Sequence, residues 1–171
     1  MILSKQQPFP FLNNKELYAL VSLGTKGGKS KIGIVPCTNN AFKRLIEIPS
    51  RPGTFMLCEE LILHFVSKLY PTYLVKEKSI LRVTRNADID GIEVYDEDLD
   101  YRGVMEQLIK QRTRLSPVRV ELSRDIDKKT CKTITKHLGV SMKHVIRLDT
   151  PLDLSFVFQL QHYLRDRSEL F

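Results

Sequence analysis

After Ser79 the chain alternates regularly between two hydrophobic periods, and few folds accommodate that order. "SILRVT" (79–84) alternates apolar and polar residues, the pattern of a half-buried strand. Tyr101, Val104, Met105, Leu108 and Ile109 then recur at helical spacing, which predicts a helix over 98–115. Asp96, Glu97, Asp98 and Asp100 crowd its start and Lys110, Arg112 and Arg114 its end, as the helix dipole favours. "PVRVEL" is a strand, 127–138 a helix closed by Gly139, "HVIRLD" a strand and 152–164 a last helix. Upstream, "LYALVSL" and "KIGIV" are joined by "GTKGGKS" and read as a β-hairpin. A short strand is expected at 44–48, ended by "PSRPG". In 56–70, Leu57, Leu61, Phe65 and Leu69 recur every four residues beside Ile62 and Val66, giving an amphipathic helix that Pro71 stops. The expectation is an α+β fold: a mixed β-sheet with helices packed on it, an N-terminal β-hairpin followed by a β-α-β-α-β run.

At 171 residues the chain has the length of a single domain, 1–171, able to bury a core without disulfide staples. Hydrophobic residues at 42% and charged residues at 27% exclude a disordered class. The formal charge of +7 favours anionic partners such as nucleic acid, polyphosphate or nucleotide. Cys37, Cys58 and Cys131 are far apart and form no zinc spacing; Cys58 and Cys131 are expected to be buried thiols, which points to a reducing, cytoplasmic compartment. No apolar run suits a membrane span, and the N-terminus lacks the pattern of a signal peptide. Its abrupt arrival at Pro8-Phe9-Pro10-Phe11 is what a piece of a longer chain would show.

Several local patterns resemble chemical sites. "GKS" (28–30) is the tail of a phosphate-binding loop, but Leu23 stands where the first glycine is needed, and the chain continues as a strand instead of a helix. From Asn86, oxygen-bearing residues fall at positions 1, 3, 5 and 12 of a twelve-residue frame, with Gly91 at position 6, as in an EF-hand loop. The neutral Asn86 at the first position, Glu93 at the eighth and the entering strand argue for a strand-to-helix corner over a calcium-regulated module. Thr84, Arg85, Asn86 and Asp88 would set that turn, and Asp96 or a neighbour would cap the helix. His64, His137, His144 and His162 share no metal spacing, and His64 is expected to pack on an apolar helix side. No catalytic residue and no metal ligand set stands out. Lys128, Lys132 and Lys136 form a basic stripe beside His137, which reads as a solvated face or a polyanion contact. A free-standing basic α+β nucleic-acid-binding module is the alternative function, although "LRVTR" and "VRVEL" carry no aromatics for base stacking.

The order of segments resembles the middle, or head, domain of the long-chain polyphosphate kinases. "PFPFLNNKELYALVSL" is similar to that domain's first segment, "RLIEIPS" to its arginine-containing strand, and "FMLCEELILHFVSKLYP" to its helix of paired acids. "LRVTRNADI" is close to the hallmark Arg-Val-Thr-Arg-Asn-Ala-Asp, and "PVRVELS" and "HVIRLDTPLDLSFVFQL" follow in order. The likeness runs over 7–164. Lys43 departs from the proline usual before the arginine that Arg44 matches, and the lysine-rich hairpin tip is not a family hallmark.

This resemblance implies a parent transferase that moves the terminal phosphate of ATP reversibly onto polyphosphate, through a phosphohistidine and with magnesium. It implies a small N-terminal helical domain and two C-terminal phospholipase-D-like catalytic domains outside this chain, so none of the four histidines inherits a catalytic role. The domain itself is expected to be inactive, to bind no cofactor of its own, to help build a homodimer and to border the polyphosphate tunnel. Its partners would be polyphosphate and ATP through the whole enzyme, and the other domains of the same chain. The parent is expected in the cytoplasm, peripheral to the inner membrane. Arg44, Arg82 and Arg85 match positions where the family carries arginine and are candidates for polyanion or interdomain contacts. Pairing with Asp88, Asp90 or a carboxylate of another domain is the competing explanation.

Overall fold

The structure is a computed structural model that describes residues 2–3, 9–25, 27–28, 30–37, 43–86 and 116–165. Strands β1 (Leu17–Gly24) and β2 (Ser30–Pro36) form the expected hairpin, with Gly24 opposite Ser30. Because β2 begins at Ser30, "GKS" feeds a strand and presents no helix N-terminus to a phosphate. Next come β3 (Leu45–Glu47), β4 (Phe55–Leu57), helix α1 (Cys58–Leu69), β5 (Leu74–Arg85), β6 (Pro117–Leu122), helix α2 (Lys128–Leu138), a 3-10 turn at Met142–His144, β7 (Val145–Arg147) and helix α3 (Phe156–Leu164).

Five strands form one mixed sheet in the order β2-β1-β5-β6-β7. The first four are antiparallel neighbours, and the crossover through α2 sets β7 parallel to β6. The fold is therefore α+β with a mixed sheet, as the sequence implies. β3 and β4 pair separately as a small hairpin.

All eight residues of β1 are buried, because it lies between β2 and β5 and is covered on both faces. Tyr18 and Leu20 join Leu81, Val83, Val120 and Leu122 of the sheet with Cys131, Ile134 and Leu138 of α2. Leu17 and Ala19 face the other way with Ile80, Leu63 of α1 and Leu152, while Val21 and Leu23 meet Val66 and Tyr70. The period-two alternation of β1 thus sorts α2 and α1 onto opposite faces. Cys37, Cys58 and Cys131 are all buried free thiols, and burial pushes the Cys37 thiol up to about 12.

Some element limits differ from the sequence reading. Phe55–Leu57 is taken by strand pairing with Leu45–Glu47, so α1 starts at Cys58, after Met56. β5 begins five residues before Ser79, because Leu74 and Val75 pair with Gly24 and Leu23 across a bulge. α3 begins at Phe156, with Leu152 instead packed into the core. The face of α1 is also rotated from expectation. Val66 is buried as expected, and Ile62 and Leu61 are half-buried, but Glu59 and Leu63 are buried while Phe65 and Leu69 of the expected stripe are 44% and 56% exposed. His64 is exposed and lies edge-on to Phe65 at 4.7 Å, where a packed core histidine was expected. The helix expected at 98–115 and all of the acidic frame beyond Asn86 lie outside the described residues.

α2 keeps its expected limits for local reasons. The Asp127 carboxylate accepts from the Thr130 backbone N–H at 2.9 Å and from its hydroxyl at 2.6 Å. Gly139 takes a left-handed conformation, φ 71°, and ends the helix.

Gly33 of β2 leaves room for the buried Tyr70 ring: a Cβ there would stand 2.8 Å from the tyrosine Cζ and Oη. Gly33→Ala is expected to cost about 2 kcal/mol and lower Tm by about 4–8 °C in thermal unfolding followed by circular dichroism. An unchanged Tm would refute this contact.

Candidate functional site

Arg44 and Arg82 converge on one segment, 152–155, between β7 and α3. Arg44 lies just before β3, and its side chain is 10% exposed. Its guanidinium donates to Glu59 at 2.8 Å from Nη2 and 3.2 Å from Nε, pairs through Nη1 with Asp153 Oδ2 at 2.8 Å and donates to Ser155 Oγ at 2.9 Å. Nη2 also donates to the Asp153 carbonyl, and the guanidinium lies 5.5 Å from the Phe156 ring centre. Glu59 is 4% exposed, so the first turn of α1 buries a carboxylate that Arg44 neutralises.

Arg82 projects from β5 and donates to the Leu152 carbonyl at 2.6 Å and to the Lys15 carbonyl at 3.3 Å. Its Nη1 is 3.9 Å from Oε2 of the buried Glu121, opposite it on β6. Arg119 reaches the other Glu121 oxygen at 3.3 Å. Burial alone would raise the Asp153 carboxyl. The Ser155 backbone N–H and the charges of Arg44 and Arg82 outweigh it and hold the carboxyl below its ordinary value.

Arg85 stands apart, on the α2 side of the sheet beyond a bulge between Thr84 and itself. It donates through Nη2 and Nε to the Leu12 carbonyl at 2.9 and 3.2 Å, and its guanidinium lies 4.4 Å from the Phe11 ring centre. Its backbone N–H donates to Asn14 Oδ1 at 2.9 Å. Burial lowers its pKa. Arg85, Phe9, Phe11 and His137 line a cavity of 260 Å³.

A cleft of 330 Å³, with Glu59 and Leu152 in its wall, opens beyond the carboxyl ends of β6 and β7. Its cations are already paired: Arg124 with Glu60 at 2.6 Å, and Arg147 with Asp125 at 3.1 Å and Asp149 at 2.7 Å. Lys128, Lys132 and Lys136 line the outer groove of α2 with Lys129, Thr133 and His137. Lys129 was missed by the every-fourth-residue pattern, and its adjacency to Lys128 in sequence was the available signal. Among the described residues no group of three His, Cys, Asp or Glu side chains could hold a metal ion, and no helix is long and apolar enough to cross a membrane.

The fold is an α+β domain built on a mixed sheet, in which Arg44, Arg82 and Arg85 bond to other segments of the same chain. The chain belongs to the polyphosphate kinase middle domain family, whose profile matches residues 1–160. It is 32% identical over 166 residues to a polyphosphate kinase of Lactiplantibacillus plantarum, covering 96% of this chain and 23% of that one. With a polyphosphate kinase of Halalkalibacterium halodurans it shares 33% over 169 residues, 96% of this chain and 24% of that one. The crystal structure of polyphosphate kinase from Porphyromonas gingivalis has the same fold: TM-score 0.60 and 18% identity, over 86% of this chain and 20% of that one. The chain therefore spans under a quarter of the length of these relatives.

Arg44→Ala strands the buried Glu59 charge and is expected to cost about 3 kcal/mol in denaturant unfolding, whereas Arg44→Met with Glu59→Leu recovers much of the loss. A double variant no better than the single one would show that packing, not charge, holds the segment. The folded Asp153 carboxyl titrates below its unfolded value, so its contribution is present above about pH 4 and is lost as pH falls through the folded value. Asp153→Asn should flatten the acid limb of the stability–pH curve, and an unaltered limb would remove Asp153 as a cause.

Proposed function

We propose that this chain is the non-catalytic middle, or head, domain of a four-domain polyphosphate kinase. Its parent enzyme reversibly transfers the terminal phosphate of ATP to polyphosphate, with magnesium and a phosphohistidine supplied by other domains. The observation that carries this reading is the family match over residues 1–160. The domain contributes to the homodimer and to the wall of the polyphosphate tunnel.

The exposed apolar residues around α3 support an association role. Leu154, Val157 and Phe158 are 60%, 51% and 79% exposed, beside the segment that Arg44 and Arg82 hold. Such side chains suit a surface buried against another domain or protomer. Arg44 and Arg82 serve that contact by holding the segment in place, and Arg85 serves the neighbouring surface at Phe11. The parent enzyme works in the cytoplasm, peripheral to the inner membrane.

With labelled ATP and magnesium, this chain should form no polyphosphate and acquire no phosphate. Phosphate found on His64, His137, His144 or His162 would overturn the non-catalytic reading.

A further inference from the structure

We propose that the outer face of α2 is a track that binds linear polyphosphate along the helix. This rests on the polyphosphate reading for the identity of the polymer, while the track is argued from the surface itself. Lys128, Lys129, Lys132 and Lys136 are all exposed and, with Thr133 and His137, line one shallow groove of 860 Å³. Among the described residues no carboxylate lines this groove, whereas Arg124 and Arg147 are paired with Glu60 and Asp125. Asp127, the nearest acid on the helix, is occupied as the cap: its carboxylate accepts from Thr130. Among the described residues none of the four ammonium groups has an ion pair or hydrogen bond.

The opposite helix face anchors the row. Thr130, Cys131, Ile134, Thr135 and Leu138 are buried, so the lysines project from a pinned helix whose i, i+4 step advances the charge by about 6 Å. A repeating polyanion matches a row of point charges, each free to turn on a flexible stem. Among the described residues no Phe, Tyr or Trp lines the groove for successive bases, and the ring at its end, His137, stacks on Phe9 at 4.7 Å with a 12° interplanar angle. That composition favours a polymer of phosphate alone over a nucleic acid. His137 also lines the small cavity that contains Arg85, so the basic groove leads toward one of the family-matched arginines.

The test measures binding of this chain to linear polyphosphate and to single-stranded RNA of matched charge, across a salt series. The variant Lys128→Gln/Lys132→Gln/Lys136→Gln keeps good helix formers on exposed positions. Lys43→Gln/Lys68→Gln/Lys76→Gln removes the same charge from exposed lysines elsewhere. The expected result is an affinity for polyphosphate about tenfold weaker in the α2 variant and a log–log salt slope shallower by about 2, from about 0.7 per lost contact. The control should retain most of its affinity, and both variants should keep the native circular dichroism spectrum.

Equal losses in the two variants would reduce the effect to net charge and overturn the track. So would an unaffected α2 variant, a native chain that does not bind polyphosphate, or tighter, base-dependent RNA binding. A longer enzyme containing this domain that synthesises polyphosphate despite any of these results would leave the family-level function standing while the track falls. An enzyme that makes none, beside a chain whose α2 lysines bind polyphosphate, would do the reverse.

Discussion

β1 must be apolar on both faces, and the rest of the domain follows from satisfying that requirement. Its neighbours β2 and β5 pair with its two edges, and each removes backbone groups from water only where the strand lies between them. The two faces then need separate covers. Leu63 and Val66 of α1 close one, and Ile134 and Leu138 of α2 close the other. A buried leucine or valine contributes about 1.5–3 kcal/mol relative to exposure, so neither cover is dispensable in a fold whose net stability is of order 10 kcal/mol.

Two kinds of positive charge serve this architecture differently. Arginine presents five donors in a planar fork, and Arg44 uses that fork to join α1, Asp153 and Ser155 at the end of the sheet. Leaving the buried Glu59 carboxylate without the fork would be costly, which makes Arg44 a structural element in the same sense as a core leucine. Lysine carries its charge on a flexible stem that no fixed acceptor needs to meet. The four lysines on α2 accordingly sit outside, and their energetic effect depends on what arrives from solution.

The strand-and-helix alternation was legible wherever the determining signal was local. The Asp127 cap and the Gly139 stop bracket α2 within one residue of expectation, because both act through neighbouring backbone groups. The orientation of α1 was not legible, since Leu57–Leu61–Phe65–Leu69 is the more regular apolar stripe, yet the core takes Leu63 and Val66 with Glu59 beside them. The buried side includes a charged residue, and Arg44, fifteen positions earlier, is what neutralises it among the described residues. β4 was likewise hidden inside an apolar run that also suits a helix, and its strand identity depends on pairing with β3. The partners that Arg44 finds within the domain lie as far as 111 residues away, beyond any local pattern. The basic row on α2, by contrast, was visible in the spacing alone because it is a property of one helix.

The alternation of β1 also has a functional consequence. Because α1 and α2 cover opposite faces, the outward apolar residues near α1 and α3 are separated from the outward lysines of α2 by the thickness of the sheet. An apolar contact surface and a polyanion surface interfere when adjacent: the polymer's counterions and water would compete with close packing, and a docked partner would bury the cations. On the two proposals above, placing them on opposite sides would let a protein partner and a polyanion bind without competing. The sheet between them fixes the two surfaces in one orientation, which is what the supporting role proposed above would require.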